Sequence, residues 1–256
     1  MYLPGIDTSL WDAGPKPFMN IMNWAQYPWH YAFIKVGEGT FIDPAFLRQW
    51  AAAKGHIYRG AYHFFRPAVD PKTSVARTIE YLGGDLGELP LALDLEVTDG
   101  RADVLDRAKS WMAWYEARTG VRPILYTSPS FLTENFAYRY TYLKSFKLWL
   151  AQYYYDKWEP AAVRDAKIER VLAGQDIPSC PKPPAPFERV SFWQWTALLK
   201  PHQIGGYYMG SDGKKEIDGI FYLGTLTDLV AEFNLPDLPA LPPSQNQNMT
   251  VSIHFA

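Results

Sequence analysis

Short apolar runs alternate with punctuated helical segments through the first half of this chain, and that alternation narrows its folds to parallel α/β architectures. Strands are expected at Tyr2–Asp7, Tyr31–Gly37, Ile57–Phe65, Leu89–Glu96 and Arg122–Thr127. Between them, Asp43-Pro44, Asp70-Pro71 and Ser128-Pro129 each pair a capping side chain with a proline suited to the first helical position. Gly55 and Gly120 follow helical runs where a left-handed residue is wanted. Over Ala102–Thr119, Val104, Leu105, Ala108, Trp111, Met112 and Tyr115 recur at helical spacing.

Three later strands are expected at Lys147–Tyr153, Val190–Thr196 and Glu216–Tyr222, which brings the count to the eight that close a barrel. Helical regularity fades after the fifth strand. The expected fold is therefore an irregular, flattened TIM-like (β/α) barrel, its helices incomplete in the second half. Residues 154–189 form an excursion with a helix at Ala161–Leu172, and the last helix spans Thr225–Phe233. At 256 residues one barrel domain over 1–234 accounts for the chain, followed by a Pro- and amide-rich, linker-like tail over 235–256.

Composition excludes several classes of protein. The net charge of −2 gives no electrostatic footprint for nucleic acid or an anionic membrane. No apolar run approaches the roughly 20 residues of a membrane span. A single cysteine, Cys180, rules out an internal disulfide and a cysteine zinc cluster, and the five histidines lack paired metal spacing. Neither a metal nor another cofactor is expected. Met1–Asp7 does not read as a secretory leader, so the expected route is synthesis in the cytoplasm, then release by lysis, particle delivery or non-classical export.

Chemistry enters with Asp94 and Glu96, one residue apart after the apolar approach Leu91-Ala92-Leu93. Side chains two apart on a strand share a face. Two acids buried together resist joint ionisation, and a proton donor beside a carboxylate is what glycosidic bond cleavage requires. A bare Asp-x-Glu is more readily a solvated strand end. Weight comes from the C-terminal ends of the other strands, where a parallel barrel gathers function. Those ends present Asp7, Glu38, Tyr62, Tyr126, Tyr153, Trp193 and Asp218.

The motifs Gly5-Ile6-Asp7, Phe33-Ile34-Lys35-Val36-Gly37-Glu38-Gly39, Gly60-Ala61-Tyr62-His63-Phe64 and Leu93-Asp94-Leu95-Glu96 resemble glycoside hydrolase family 25, the Chalaropsis-type lysozymes. So do Pro123-Ile124-Leu125-Tyr126-Thr127, Trp149-Leu150-Ala151-Gln152-Tyr153, Trp193-Gln194-Trp195 and Ile217-Asp218-Gly219. The resemblance runs in order over about residues 5–233, with Val36-Gly37 standing where Ala-Thr is commoner.

It implies hydrolysis of the β-1,4 bond between N-acetylmuramic acid and N-acetylglucosamine in bacterial peptidoglycan. Glu96 would be the general acid, with a raised pKa, and Asp94 would assist the substrate's acetamido group. Asp7 and Asp218 would complete the catalytic acids, while Glu38, Tyr62, Tyr126, Tyr153 and Trp193 would bind substrate. A phage lysin is the leading expectation, with the tail available to an assembly partner. The competing reading is a non-catalytic glycan-binding or structural barrel.

Overall fold

The computed structural model describes residues 2–12, 21–136, 140–156, 158–206 and 216–238. Nine strands form one sheet: β1 (Leu3–Thr8), β2 (Tyr31–Glu38), β3 (Phe41–Ile42), β4 (Tyr58–Phe64), β5 (Ala92–Asp94), β6 (Ile124–Thr127), β7 (Leu148–Ala151), β8 (Phe192–Leu199) and β9 (Ile217–Tyr222). All but β3 close a ring, because β1 pairs with β2 on one side and β9 on the other. The two-residue β3 hangs on β2 as an antiparallel flap. Among the described residues six helices accompany them: α1 (Phe46–Ala53), α2 (Pro71–Leu82), α3 (Val104–Thr119), α4 (Pro129–Phe136), α5 (Ala161–Leu172) and α6 (Leu226–Phe233).

The expected barrel is correct in strand count, and one strand departs from the expected direction. Seven strands run parallel, but β9 is antiparallel to both β8 and β1. A parallel return needs a crossover helix, and only a short 3₁₀ turn at Pro201–Ile204 is described between β8 and β9. Inverting β9 turns its first residues, not its last, toward the end where the other strands finish.

Helix boundaries follow their capping chemistry. Asp70 accepts a hydrogen bond from the Thr73 N–H at 2.9 Å, and Gly83 ends α2 at φ +60°. Ser128 Oγ accepts from the Phe131 N–H at 3.2 Å, and Thr225 with Asp228 forms a reciprocal box at the start of α6. Asp43 is the exception. Its carboxylate accepts from the Ala45 and Leu10 N–H groups, so it ties a turn to the β1 loop while α1 starts three residues later.

Alternate residues fill the barrel interior in layers. Tyr31, Tyr58 and Tyr222 occupy the floor, and Phe33, Trp149, Phe192 and Ile220 the middle. Gly5 and Gly60 are small because Tyr31 and Phe33 press against them; an added Cβ would come within 2.4 and 2.3 Å of those rings. Outward-facing residues build a second core beneath the helices. There, His63 on β4 lies between Ser74 and Thr78 of α2, 3.0 Å from each hydroxyl, and stacks on Trp111 of α3.

The Thr78 hydroxyl donates to the Ser74 carbonyl and Ser74 Oγ accepts from Trp111 Nε1. Those commitments make Nδ1 the protonated nitrogen of a neutral His63. Burial, then the Lys35 charge, lowers its pKa to about 3.

Packing continues past the expected domain boundary at 234. Leu235 is buried and Tyr58 donates to the Pro236 carbonyl at 3.0 Å, so the barrel's floor includes the first residues of the tail-like stretch. Residues 239–256 lie outside the described set.

Candidate active site

Above the aromatic layer the interior turns polar. Asp7 on β1 stands opposite Asp218 on the inverted β9, and Asp94 at the end of β5 is flanked in register by Phe64 and Tyr126. The chain after Asp94 is pinned: the Leu95 N–H donates to the Tyr126 carbonyl at 2.9 Å and the Leu95 carbonyl accepts from Thr127 Oγ1 at 2.8 Å. That anchorage keeps Glu96 on the same face as Asp94 but brings it into solvent.

These groups line one cavity of about 270 Å³, whose wall, among the described residues, holds Asp7, Asp12, Asp94, Glu96, Glu216 and Asp218 together with Lys35; Glu216 also pairs with Lys200 at 2.6 Å. Tyr62 and Tyr126 stand among them and Trp149 lies beneath.

Crowding like charges in a poorly solvated site drives protons onto them. Burial first, then the Glu96 charge and a hydrogen bond with Glu96, raises the Asp94 carboxyl well above its ordinary range; Lys35 pulls the other way. Burial and Asp218 raise Asp7, opposed by a bond from Gln194 Nε2 at 2.9 Å. Asp218 is pushed to about 7 by burial and then by the Asp12 and Glu96 charges. The expected seat of the raised pKa was Glu96. The pressure falls on Asp94, because the strand ends there and only its carboxyl is enclosed.

Gln194 was missed in the sequence although it sits within the Trp193-Gln194-Trp195 motif. It accepts from the Tyr126 hydroxyl at 2.9 Å while donating to Asp7, and so joins β6 to β1 across the cavity. Trp193 requires a correction: it is buried in the outer core, where its Nε1 donates to the Gln152 carbonyl, and does not line the cavity. Period-two alternation settles this once Phe192 is seen to point inward.

Tyr153 is half exposed at the margin, stacked on Tyr155, and the Asp218, Asp7 and Glu96 charges add to burial in raising its phenol. Glu38 also falls outside the acid cavity. It pairs with Lys35 at 3.1 Å and Arg66 at 3.4 Å, facing an adjoining groove. Among the described residues no group of three or more His, Cys, Asp or Glu is placed to hold a metal ion, and no helix is long and apolar enough to cross a membrane.

An eight-stranded (β/α) barrel with paired carboxylates at one rim defines a frame suited to glycosidic chemistry. The chain belongs to the glycosyl hydrolases family 25, whose model matches residues 6–202. It is 32% identical to the protein YegX of Escherichia coli O6:H1 over 128 residues, 48% of this chain and 46% of that one. It is 34% identical to an N,O-diacetylmuramidase of Arthroderma benhamiae over 116 residues, 39% of this chain and 48% of that one. The matches thus span about half the length of these curated relatives. The bacterial lysozyme of Streptomyces coelicolor superposes with a TM-score of 0.68 at 23% identity, covering 91% of this chain and 98% of that one, a likeness of fold.

Proposed function

We propose that this protein is a muramidase, hydrolysing the β-1,4 bond after N-acetylmuramic acid in peptidoglycan, with the Asp94–Glu96 pair as its proton-handling centre. The observation that carries the reading is an enclosed carboxyl beside an accessible one, within a wall of further acids. Burial and the adjacent Glu96 charge favour the protonated form of Asp94.

In the proposed reaction Glu96, the exposed partner, delivers that proton to the leaving glycosidic oxygen. The substrate's acetamido oxygen closes on the anomeric carbon as the bond breaks. Asp94 holds the acetamido N–H, and its negative charge offsets the positive charge developing on the sugar. Water then opens the cyclic intermediate and returns a proton to Glu96, which regenerates the pair. Asp7 adds to the electrostatic pressure on Asp94 and Asp218 stands beside it, while Gln194, bonded to Tyr126, fixes Asp7 in place.

The test is mass spectrometry of fragments released from purified cell walls. The wild type yields muropeptides with new N-acetylmuramic acid reducing ends, and Glu96→Gln yields none. Retained wall binding by the wild type without any reducing ends would instead establish the non-catalytic glycan-binding reading.

A further inference from the structure

Beside the acid cavity runs a larger groove of about 780 Å³, and Trp11 and Lys35 line both. Its outer edge is the β2–β3 hairpin, where Phe41 is 63% exposed, with Trp11, 70% exposed, also in the wall. Two large exposed rings in the wall of one groove make an apolar patch of the kind that marks ligand-binding grooves.

The hairpin that holds Phe41 out is braced rather than loose. The Gly39 N–H donates to the Phe64 carbonyl, and Tyr81 on α2 donates to the Thr40 carbonyl at 2.7 Å. Gly39 turns the chain at φ +58°. Gly37 lets β3 lie close, since a Cβ there would come within 2.3 Å of the Phe41 carbonyl oxygen. In the wall of the same groove, Arg66 reaches Glu38 and Asp99 at 3.4 and 3.5 Å, long pairings whose donors and acceptors lie open to the groove.

Flat apolar faces beside separated hydrogen-bonding groups suit a pyranose ring, which presents C–H groups on its faces and hydroxyls at its edge. We infer that this groove is a saccharide-binding subsite, in which Phe41 stacks on a sugar of the glycan strand beyond the one held over the acids. Continuity with the acid cavity through Trp11 and Lys35 determines the occupant: the same strand, running on. The inference rests on the muramidase reading for the identity of the strand, but its test does not need turnover.

The experiment is isothermal titration of the Glu96→Gln protein with chitotetraose and chitobiose, β-1,4 oligomers of N-acetylglucosamine, alone and with Phe41→Ala or Phe41→Trp added. Phe41→Ala is expected to weaken tetrasaccharide binding roughly five- to tenfold, the range of one aromatic stacking contact, and to leave disaccharide binding unchanged. Phe41→Trp restores the longer ligand's affinity. Equal tetrasaccharide affinity in all three proteins, or loss of both ligands alike, would overturn the subsite. Failure of the muramidase reading has a separate signature, the absence of reducing ends from wild-type digests.

Discussion

At the floor of the barrel the Arg59 guanidinium is almost wholly enclosed, yet it spends its donors on Asp85, Glu88 and the Trp50 carbonyl and stacks over the Trp50 ring. At the rim, Asp7, Asp94, Glu96 and Asp218 gather around Lys35, which itself pairs with Glu38, and Asp94 Oδ1 has no hydrogen-bond partner among the described residues. Burial opposes ionisation at both ends. At the floor the Arg59 and Lys54 bonds overcome it and hold Asp85 at about 2; at the rim nothing does, and Asp7, Asp94 and Asp218 rise. Paired charge fixes the scaffold, whereas acids crowded into a poorly solvated site store the capacity to move a proton. Stability and activity should therefore respond oppositely to substitution at the two ends.

The largest separation is expected from Glu96→Gln. Turnover of purified walls should fall roughly 10²–10⁴-fold, the range for a positioned acid, while the thermal midpoint stays level or rises. A matching fall in the midpoint would mean the residue is structural.

His63 sets the acid edge of stability. Its folded pKa lies below the unfolded value of 6.5, so its contribution is complete above 6.5 and is lost as pH falls toward about 3. Urea unfolding should show a loss of about 3 kcal/mol between pH 7 and pH 4 that His63→Leu abolishes. An unchanged pH slope in that variant would remove His63 from the account.

Arg59→Met should cost about 2–3 kcal/mol. That is below the range for a fully buried pair, because Asp85 and Glu88 keep some contact with water. Turnover at 25 °C should be unaffected, which a steady-state assay alongside denaturation checks directly.

At the rim Asp7→Asn should act in the other direction. The native carboxyl has a raised folded pKa, so the stability it contributes is full below 3.8 and lost as pH rises through that folded value. An amide escapes this cost. The variant should gain about 1 kcal/mol at pH 8 and nothing at pH 4, as read by denaturation at both.

A comparable effect concerns the floor's last layer. A chain ending at 234 should be about 1–2 kcal/mol less stable than one ending at 238, since it loses buried Leu235 and the Tyr58–Pro236 bond.

The strand count and most helix boundaries were legible because both rest on local patterns: apolar runs, Asp-Pro starts, glycines after helices. Orientation and facing were not. Trp193-Gln194-Trp195 lies in a strand buried on both sides, so it carries no polar alternation to reveal that the glutamine points inward. Asp218 was placed at the correct rim, although it enters from the start of a reversed strand rather than the end of a parallel one. Lys35, Asp12 and Glu216 were absent from the expected site. Their arrival depends on strand register and loop return, which a linear motif does not encode. The acid pair was visible, but which member would be enclosed depended on where β5 stops pairing, a tertiary fact.

Carboxyl ¹³C NMR titration of the wild type tests the contrast between the two ends most directly. The account predicts that Asp7 and Asp94 keep their protons well above pH 4 while Asp85 ionises near 2. Ordinary titration of all three near pH 4 would contradict it.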